Sequence, residues 1–483
     1  MTKEELYYLS ASELLKHIQA EKERLIKEKV IKKSKPLSTI TDEEKLYELP
    51  EEWGWIRLGN VIHFTSEKKI DGDCLPLLDV KFFRNNKNTV LVSKGTVVDK
   101  GDLLILKDGE NSGEVFKATQ KGYMGSTLKK FTIAQGVNED YILYFIRSNF
   151  AVLKGNKTGS AIPHLDFNLL NNLLLPLPPQ YIQDQIVQKL EKISETKDSL
   201  LSHAESQLNY TKKIREALLQ EAIRGELVPQ DKNDEPTSVL LEKIKTEKER
   251  LIKEKVIKKP KELPPITDED KPYELPNGWE WVRLDQICKV VTCGYASTPK
   301  YVEDGMPFIS AKNVKPYKFM PDKYQMISQE LYDKLVSGAK PEKNDILVTR
   351  VGAGIGEAAI IDKDFDFAVY VSLTLIKPIQ QFISSKYLLH WFNSPHGASK
   401  SRRNTFGAGS SQGNLNVNEV RNFLIPLPPL AEQERIVAKL DELIANCDQL
   451  EAKAEEMKNY TMKLFEASLK EAFMPLNNND EED

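Results

Sequence analysis

Residues 175–190 read LPLPPQYIQDQIVQKL, and residues 425–440 read IPLPPLAEQERIVAKL. They open a gap-free match of 176–223 onto 426–473, at an offset of 250. A second match lies upstream at an offset of 226, where residues 21–33 and 247–259 are the same thirteen residues, EKERLIKEKVIKK. Because the borders repeat while the distance between them has changed, the sequence predicts a repeated frame that carries two different inserts.

Each downstream match has the periodicity of a long helix. Apolar residues recur three or four positions apart, or at sums of these spacings, at Ile186, Leu190, Ile193, Leu200, Ala204, Leu208, Ile214 and Leu218. About 45 residues make a rod of roughly 65 Å, and a narrow apolar stripe on it needs a partner. The two helices are therefore predicted to pair as an antiparallel coiled coil with pseudo-twofold symmetry, which brings the chain's N- and C-terminal segments together. Two separate surface helices are the alternative.

The inserts have the pattern of short strands separated by turns. A Trp-x-Trp-x-Arg-Leu motif at 53–58 and 279–284 predicts a first strand with a buried Trp pair. Matched strands at 102–106 and 345–348 each precede a basic residue and a Gly-bearing loop, KDGENSG at 107–113 and RVGAGIG at 350–356. Further strands are expected at 123–133 and 367–376, helices at 139–147 and 386–393, and closing turns at 158–175 and 408–425. The fold class is thus α/β (α+β), with two globular mixed domains separated by the long helices.

The repeats divide the chain into seven predicted segments. We expect an N-terminal helix and linker at 1–45, recognition domains at 46–178 and 273–428, long helices at 179–226 and 429–475, a second short helix and linker at 227–272, and a disordered acidic tail at 476–483. The basic runs that end the short helices are typical of solvated charged helices.

Composition indicates a cytoplasmic globular protein. The chain has 483 residues, 29% of them charged, and it lacks an apolar signal core or an apolar run of membrane-spanning length. Its four cysteines show no metal-ligand or paired spacing. The net charge of −4 is unevenly distributed along the chain. Residues 53–176 hold 16 Lys and Arg against 12 Asp and Glu, and residues 279–426 hold 18 against 14. The inserts are the basic, polyanion-facing parts and the frame is acidic.

No motif for catalysis is found. The sequence lacks the GxxxxGK[ST] phosphate loop, the Asn- or Asp-Pro-Pro-aromatic motif of amino-methyltransferases, and histidines at metal-ligand spacing. The glycines of RVGAGIG are typical of a tight turn rather than a dinucleotide site. We therefore predict neither catalytic nor metal-binding residues.

The chain resembles the specificity subunits of type I restriction–modification systems along nearly its whole length. The resemblance lies in the two LPLPP-x(3)-Q-x(2)-IV-x-KL helices, in EAIRGELVPQ at 221–230, and in two variable inserts in repeated frames. The second insert adds Gly294, Thr298-Pro299, GMPFI at 305–309 and Gly409-Ser410 before Asn414-Leu415. The first insert departs from the family pattern at 75–80 (LPLLDV) and 161–165 (AIPHL).

The resemblance implies a non-catalytic DNA-recognition subunit. Each insert would read one half of an asymmetric bipartite site, and the paired helices would set the gap and dock partners. Two modification subunits would carry S-adenosylmethionine, and restriction subunits would carry ATP and Mg. A coiled-coil scaffold that binds only proteins is the alternative, and salt-dependent DNA binding separates the two.

Candidate DNA contacts are basic and polar residues in the Gly-bearing loops and closing turns. They are Lys81, Arg84, Lys107 and Lys157 in the first insert, and Lys312, Asn313, Arg350, Arg402, Arg403, Ser410 and Gln412 in the second. Arg350→Ala is predicted to weaken DNA binding, by roughly 1–3 kcal/mol if Arg350 makes a bidentate base contact.

Overall fold

The computed structural model describes residues 3–29, 31, 37–65, 68–85, 90–158, 163–406 and 413–474. The predicted acidic tail at 476–483 lies outside these residues. The chain forms two compact units, Met1–Ala204 with Glu455–Asp483, and Glu205–Ala454. Among the described residues, none of the helices combines the length and apolar content that a membrane-spanning segment needs.

The described part of the first unit begins with two helices and contains ten strands. Its helices are α1 (Lys3–Tyr7), α2 (Ala11–Lys27), α3 (Leu58–Val61), α4 (Val80–Asn85), α5 (Glu139–Ser148), α6 (Phe150–Gly155), α7 (Phe167–Asn172) and the first part of α8 (Gln180–Arg224). Its strands are β1 (Gly54–Arg57), β2 (Ile62–Phe64), β3 (Ile70–Leu78), β4 (Leu91–Gly95), β5 (Val97–Val98), β6 (Leu103–Leu106), β7 (Val115–Lys117), β8 (Gly122–Met124), β9 (Leu128–Ile133) and β10 (Leu174–Leu177).

The second unit repeats this plan with different strand lengths. Its helices after α8 are α9 (Thr237–Lys253), α10 (Gln329–Val336), α11 (Ser385–Asn393), α12 (Pro395–Arg403), α13 (Val417–Arg421) and α14 (Leu430–Glu471), which ends in the first unit. Its strands are β11 (Glu280–Arg283), β12 (Cys288–Cys293), β13 (Met306–Ile309), β14 (Val314–Lys315), β15 (Lys318–Phe319), β16 (Gln325–Ile327), β17 (Ile346–Thr349), β18 (Ala358–Ile360), β19 (Ala368–Val369), β20 (Leu373–Pro378), β21 (Thr405–Phe406), β22 (Asn414–Leu415) and β23 (Leu424–Leu427).

Each insert enters and leaves its frame through one pair of strands. Strand β1 pairs antiparallel with the LPL strand β10, from Gly54 opposite Leu177, and β11 pairs with β23 from Glu280 opposite Leu427. Each strand begins after the first Trp of its motif, and the predicted buried Trp pair is found in the second unit, whereas Trp53 and Trp55 are half-buried. The Pro residues of LPLPP lack an N–H donor but keep their carbonyls, and the Pro176 carbonyl accepts from the Tyr141 hydroxyl at 2.6 Å. The motif therefore begins in strand β10 and ends in two prolines outside the strand, Pro178 and Pro179, and the helix begins only after them.

The duplicated glutamine of the long helices joins frame to insert. Gln183 is fully buried; its Nε2 donates to the Pro178 carbonyl at 2.8 Å and its Oε1 accepts from the Asn138 N–H at 2.8 Å. Gln433 makes the matching bonds to Pro428 (3.1 Å) and to the Ser384 N–H (2.9 Å). A buried amide with both ends bonded fixes the start of the helix against the first turn of α5 or α11.

The duplicated arginine of the Trp-x-Trp-x-Arg motif is also structural. Arg57 and Arg283 are only 4% and 7% exposed. Arg57 donates to the Asn172 carbonyl at 2.9 Å and to the Glu44 carboxylate at 2.8 Å, while Arg283 donates to the Pro264 carbonyl at 2.9 Å. These bonds hold the linker that precedes each insert.

Both inserts are built on a four-stranded antiparallel sheet of the same order. It runs β2-β9-β6-β7 in the first unit and β12-β20-β17-β18 in the second. Successive residues of β6 enter different cores, with Leu103 and Ile105 on one face and Leu104 and Leu106 on the other. Burial on both faces explains why these strands are continuous apolar runs rather than alternating ones.

A second, mixed sheet packs beyond the first and accounts for one wrong prediction. It has the order β4-β3-β8-β5 or β16-β13-β19, and β8 and β19 run parallel to β3 and β13. Residues 123–133 and 367–376 were each predicted as one strand, but each range holds two strands that belong to different sheets. The turns between them, at Gly125–Thr127 and around Ser372, carry the chain from one sheet to the next.

The long helices run antiparallel within each unit, as predicted. In the first unit, Leu190 shares a core with Leu469 and Phe473, and the Lys197 ammonium lies 4.4 Å from the centre of the Phe465 ring. In the second unit, Arg215 donates to Asp448 at 2.8 Å and Glu451 at 3.1 Å. Along α8, the number of the contacting residue in α14 falls as the residue number in α8 rises, as expected for an antiparallel pair.

The buried seam of these helices differs from the predicted stripe. Its members recur at intervals of seven or fourteen residues, at Gln183, Leu190, Ala204 and Thr211 in α8 and at Gln433, Leu440, Cys447, Ala454 and Thr461 in α14. Ile193, Leu200 and Ile214 were predicted to be buried in the stripe, but they are 36–47% exposed. Small and polar side chains occupy much of the seam. A search for large apolar residues therefore did not locate all of it correctly.

The N- and C-terminal segments meet within the first unit, which confirms that prediction. Leu14 and Ile18 of α2 share a core with Leu469 and Phe473, and the Tyr47 hydroxyl donates to the Phe473 carbonyl. In the second unit the Tyr273 hydroxyl donates to the Ile223 carbonyl at 2.8 Å. The same junction is therefore formed by one continuous stretch of chain in the second unit. In the first unit it is formed by the N- and C-terminal segments.

Candidate nucleic-acid interface

The two Gly-bearing loops occupy equivalent places in their units. Each follows the third strand of the four-stranded sheet, β6 or β17, and each is tied to a closing turn by a matched backbone bond. The Leu165 N–H donates to the Lys107 carbonyl and the Leu415 N–H to the Arg350 carbonyl, both at 2.8 Å. The loops and the turns that were singled out in the sequence thus lie side by side.

Glycine is required in the loops where helices pack on them. Gly356 has a φ of +91°, and a Cβ there would lie 2.8 Å from Cβ of Ser401 in α12. Gly113, with a φ of +103°, is crowded in the same way by Leu153 of α6. Each loop is therefore held between its sheet and a helix.

The first-insert loop gathers three of the four predicted cations of that insert, and each is paired with a loop carboxylate. Lys107 lies 2.9 Å from Asp108, Lys157 lies 3.3 Å from Glu110, and Arg84 pairs with Glu114. Lys81 is exposed on α4, three residues before Arg84. The structure brings these cations together but neutralises three of them.

A histidine in the closing turn adds to this cluster. His164 Nδ1 lies 2.7 Å from Asp108 Oδ1, and the imidazole is half exposed. Burial alone would raise the pKa of Asp108, but the hydrogen bonds and charges of Lys107 and His164 together lower it. Asp108 is therefore an ionised acceptor that orients the ring.

The second-insert loop has a buried arginine in place of Lys107. Arg350 is 7% exposed; its Nε donates to the Leu415 carbonyl at 2.9 Å, and its Nη2 donates to Asn414 Oδ1 at 2.9 Å. Its Nη1 donates to the Val371 carbonyl at 3.3 Å. The guanidinium does not present the free fork expected of a base reader, and it instead holds the closing turn against the loop.

Asn313 is also buried, at 3% exposure. Its Nδ2 donates to the carbonyls of Met320 and Lys323, at 3.0 and 2.8 Å, and its Oδ1 accepts from the Ser310 N–H. The preceding residue, Lys312, is exposed. The pair thus divides into one residue that shapes the turn and one that faces solvent.

The remaining candidates of the second insert flank the loop. Arg402 and Arg403 are exposed in the last turn of α12, the helix whose Ser401 packs on Gly356. Ser410 and Gln412 lie outside the described residues.

Sequence reasoning missed the residues that hold the candidates in place. Asp108, Glu110, Glu114 and His164 surround the first loop, and Asn414 accepts from Arg350 in the second. The offset of 250 that aligns the long helices also aligns His164-Leu165 with Asn414-Leu415. Extending that match upstream would have pointed to both residues.

Replacement of Arg350 tests its positioning role. We expect Arg350→Ala to lower the unfolding midpoint, because it leaves buried carbonyls without donors at a cost of about 1–3 kcal/mol, and to weaken DNA binding. Lysine has no planar fork, so Arg350→Lys should restore only part of both losses. Thermal denaturation and duplex binding measure them, with Lys312→Ala, an exposed neighbour, as the control for stability. An unchanged midpoint with lost binding would instead make Arg350 a base reader.

Removal of the loop carboxylates tests the neutralised cluster. Glu110→Gln with Glu114→Gln frees Lys157 and Arg84, so we expect tighter binding to unrelated duplex DNA. The slope of log affinity against log salt should steepen by about 0.9 for each added phosphate contact. Glu48→Gln with Glu51→Gln removes the same charge from exposed positions outside the loop and should change the slope less. Equal effects of the two pairs would show that only net charge matters.

Comparison with known proteins agrees with this organisation. The family model for the type I restriction modification DNA specificity domain matches residues 50–210 and 276–458. The chain is 29% identical to the EcoAI specificity subunit of Escherichia coli, over 91% of this chain and 85% of that one, and 28% identical to the EcoEI subunit of the same species, over 95% and 88%.

A solved structure supports the fold. A chain from work on complex assembly and conformational transition of the type I R-M system superposes with a TM-score of 0.58 at 18% identity, over 88% of this chain and 99% of that one. The same family model covers both repeated halves, and relatives match along nearly the full length. The chain therefore belongs to the type I restriction–modification specificity subunits, which are the non-catalytic, DNA-recognising members of these systems.

Proposed function

We propose that this chain reads a bipartite DNA sequence, one half with each insert, and holds the halves at a fixed gap with its long helices. The observation that carries the proposal is the pairing of one frame with two different loops. The strand registers, the buried Gln and the buried Arg repeat in both units, while KDGENSG in one loop is replaced by RVGAGIG in the other. A repeated frame that carries two different loops suits a protein that presents two different DNA-reading surfaces.

In this proposal the recognition domains are 46–178 and 273–428. Residues 179–226 and 429–475 form the spacer, and 1–45 and 227–272 are the matched helices and linkers. A centre-to-centre distance of about 34 Å places two major grooves on the same face of a duplex, which lies within the roughly 65 Å length of such helices.

The exposed cations serve as phosphate contacts. Lys81 would do so in the first half, and Lys312, Arg402 and Arg403 in the second. Arg84, Lys107 and Lys157 would join them once DNA phosphates replace their carboxylate partners. Asn313 and Arg350 shape the surface, and Ser410 and Gln412 are kept as proposed polar contacts to DNA. Phosphate contacts fix the register, so neighbouring polar side chains can reach base edges.

Two modification subunits using S-adenosylmethionine and restriction subunits using ATP and Mg would supply the chemistry, in the cytoplasm. Matched docking surfaces support two copies of one partner. Outside the seam, α8 exposes Leu200, Tyr210 and Ile214, and α14 exposes Leu450, Tyr460 and Leu464 at the same offset of 250. Large apolar residues repeated in this way favour association with other helices.

Mapping of methylated bases tests the proposal. Deletion of the gene from its own genome should abolish methylation at one two-part motif with a fixed gap, and complementation should restore it. Unchanged methylation, together with DNA binding that does not depend on salt, would favour a protein-only scaffold.

A further inference from the structure

A basic cleft lies in the second unit, and its lining does not include the Gly-bearing loop at 350–356. It encloses about 850 Å³ between the segment that follows α9, residues 255–264, and the strand β12, with the end of α10 and residues 418–422 completing its wall. Six lysines line it, namely Lys248 and a group of five, Lys255, Lys258, Lys259, Lys261 and Lys289, against one lining carboxylate without an internal partner, Glu262. The cleft thus concentrates positive charge in an acidic chain.

Other charged residues of the cleft are used to build its wall. Lys248 Nζ donates to the Asp285 carbonyl, and Arg421 donates to the Val291 carbonyl at 2.7 Å. The Asp285 carboxylate lies 3.8 Å from Arg421. These groups hold α9 and the closing helix α13 against the start of the insert.

The five lysines are not used in this way. None forms an ion pair with another described residue, and all except Lys289 are exposed. Two nearby carboxylates face Lys289, but Glu247 is bonded to Arg250 and Glu342 to Lys377. The cleft therefore presents ammonium groups without an ion-pair partner among the described residues, which suits a polyanion.

The composition of the cleft favours nucleic acid over protein as that polyanion. Protein interfaces are enriched in aromatic residues and Arg and depleted in Lys, whereas this cleft has one aromatic residue, Tyr295, one arginine, Arg421, and six lysines. A Lys ammonium is a strongly hydrated point charge that suits a phosphate without fixed geometry. Phosphates along one DNA strand offer such charges in a row.

The repeated sequence indicates what kind of contact this is. Lys255, Lys258 and Lys259 belong to the thirteen residues that are identical at 21–33. Lys255 and its counterpart Lys29 both adopt left-handed backbone, with φ of +60° and +59°, after the same helix end. An element kept identical beside two unlike inserts suits a contact that does not depend on the half-site sequence.

We propose that the lysines after α9 bind the DNA phosphate backbone beside the second half-site and supply affinity without sequence information. The inference rests on the proposed function, because it assumes that the second insert engages DNA. It assigns to the linker a binding role separate from that of the reading loops.

The test compares Lys258→Gln, Lys259→Gln and Lys261→Gln combined with a matched control, Lys232→Gln, Lys245→Gln and Lys363→Gln. The control lysines are exposed and do not line the cleft. Each full chain, with its methyltransferase partner, is titrated onto a duplex with the mapped motif and onto an unrelated duplex, from about 50 to 200 mM salt.

The cleft variant should lose affinity for both duplexes by the same factor, roughly five- to tenfold per lost contact at about 0.1 M salt, and its salt slope should fall by about 0.9 per contact. The methylated motif should stay the same. Lys258→Arg, Lys259→Arg and Lys261→Arg combined keeps the charge and should retain the slope, which separates charge loss from misfolding.

Three results would overturn the inference: a slope equal to that of the control, a loss confined to the motif duplex, or failed assembly with the partner at an unchanged slope of the free chain. The last would make the cleft a protein-docking surface. A wild-type chain that binds neither duplex in a salt-dependent way would contradict the proposed function itself.

Discussion

A chain in which residues 54–177 also replace residues 280–427 is expected to direct methylation to a motif that contains the same half-site twice. The native second half should disappear from the motif. This is the largest change in specificity that the structure predicts, because it leaves the frame intact and replaces every side chain of the second reading surface.

The graft points are set by the border strands. Gly54 lies opposite Leu177, and Glu280 lies opposite Leu427, so both inserts enter and leave through strands of equal length and register. Gln433 bonds to a backbone N–H of the insert rather than to a side chain, and Tyr141 matches Tyr387 in its bond to the LPLPP carbonyl. The grafted insert can therefore remake the contacts with its new frame.

One frame residue should be adapted to the graft. Asp441 pairs with Lys386 of the second insert at 2.6 Å and would lose that partner. Glu191 occupies the matching position in α8, so Asp441→Glu should accompany the exchange. The expected motif is read by mapping methylated bases in a host whose own gene is deleted.

The reciprocal graft, residues 280–427 in place of 54–177, is the control and should duplicate the other half. The antiparallel direction of the paired helices predicts that the second copy is inverted. A folded, partner-bound graft that still methylates the native motif would contradict the assignment of one half to each insert.

The frame could be predicted from the sequence because it is duplicated. Identical residues at two constant offsets located the border strands, the long helices and the inserts without any knowledge of packing. In the structure, Gln183 and Arg57 are buried and hydrogen-bonded, as their counterparts in the second copy are. Repetition identified these residues even though their polar side chains gave no hydrophobic signal.

The phase of the helix seam could not be predicted in the same way. The predicted stripe correctly included the buried Leu190 and Ala204, but it also included the exposed Ile193, Leu200 and Ile214 and omitted the buried Thr211. Hydrophobic periodicity reports every apolar face of a helix, including one that another molecule covers. The buried face and the exposed apolar face of one helix therefore produced a single combined hydrophobic periodicity.

The roles of the candidate DNA contacts also depended on tertiary neighbours. Lys107 and Arg350 stand at equivalent positions after matched strands, but one pairs with the next residue while the other is buried against the closing turn. Residue type predicted a basic character for both positions. Burial distinguishes a cation that faces solvent from one that holds other residues in place. The segment that buries Arg350 lies about sixty residues away in the sequence.

Lengthening both long helices by one heptad is expected to abolish methylation at the native gap and to shift it to a longer one. Duplication of residues 201–207 in α8 and of 451–457 in α14 inserts matched heptads at the offset of 250. Seven residues add about 10.5 Å along a helix and rotate its faces by only about 20°. The buried positions at Ala204 and Ala454 are thereby repeated, and the antiparallel seam continues through the insertion.

On DNA, that length corresponds to about three base pairs at 3.4 Å each, so the new gap should be longer by up to three. Three base pairs also turn the major groove by about 100°, so a smaller shift or weaker methylation indicates how far the complex tolerates that rotation. Insertion into α8 alone is the control. It moves Arg215 away from Asp448 and Glu451 and should destroy methylation without creating a new motif. Retention of the native gap after the paired insertion would mean that the helices do not determine the spacing, and that the inserts hold the two halves apart by themselves.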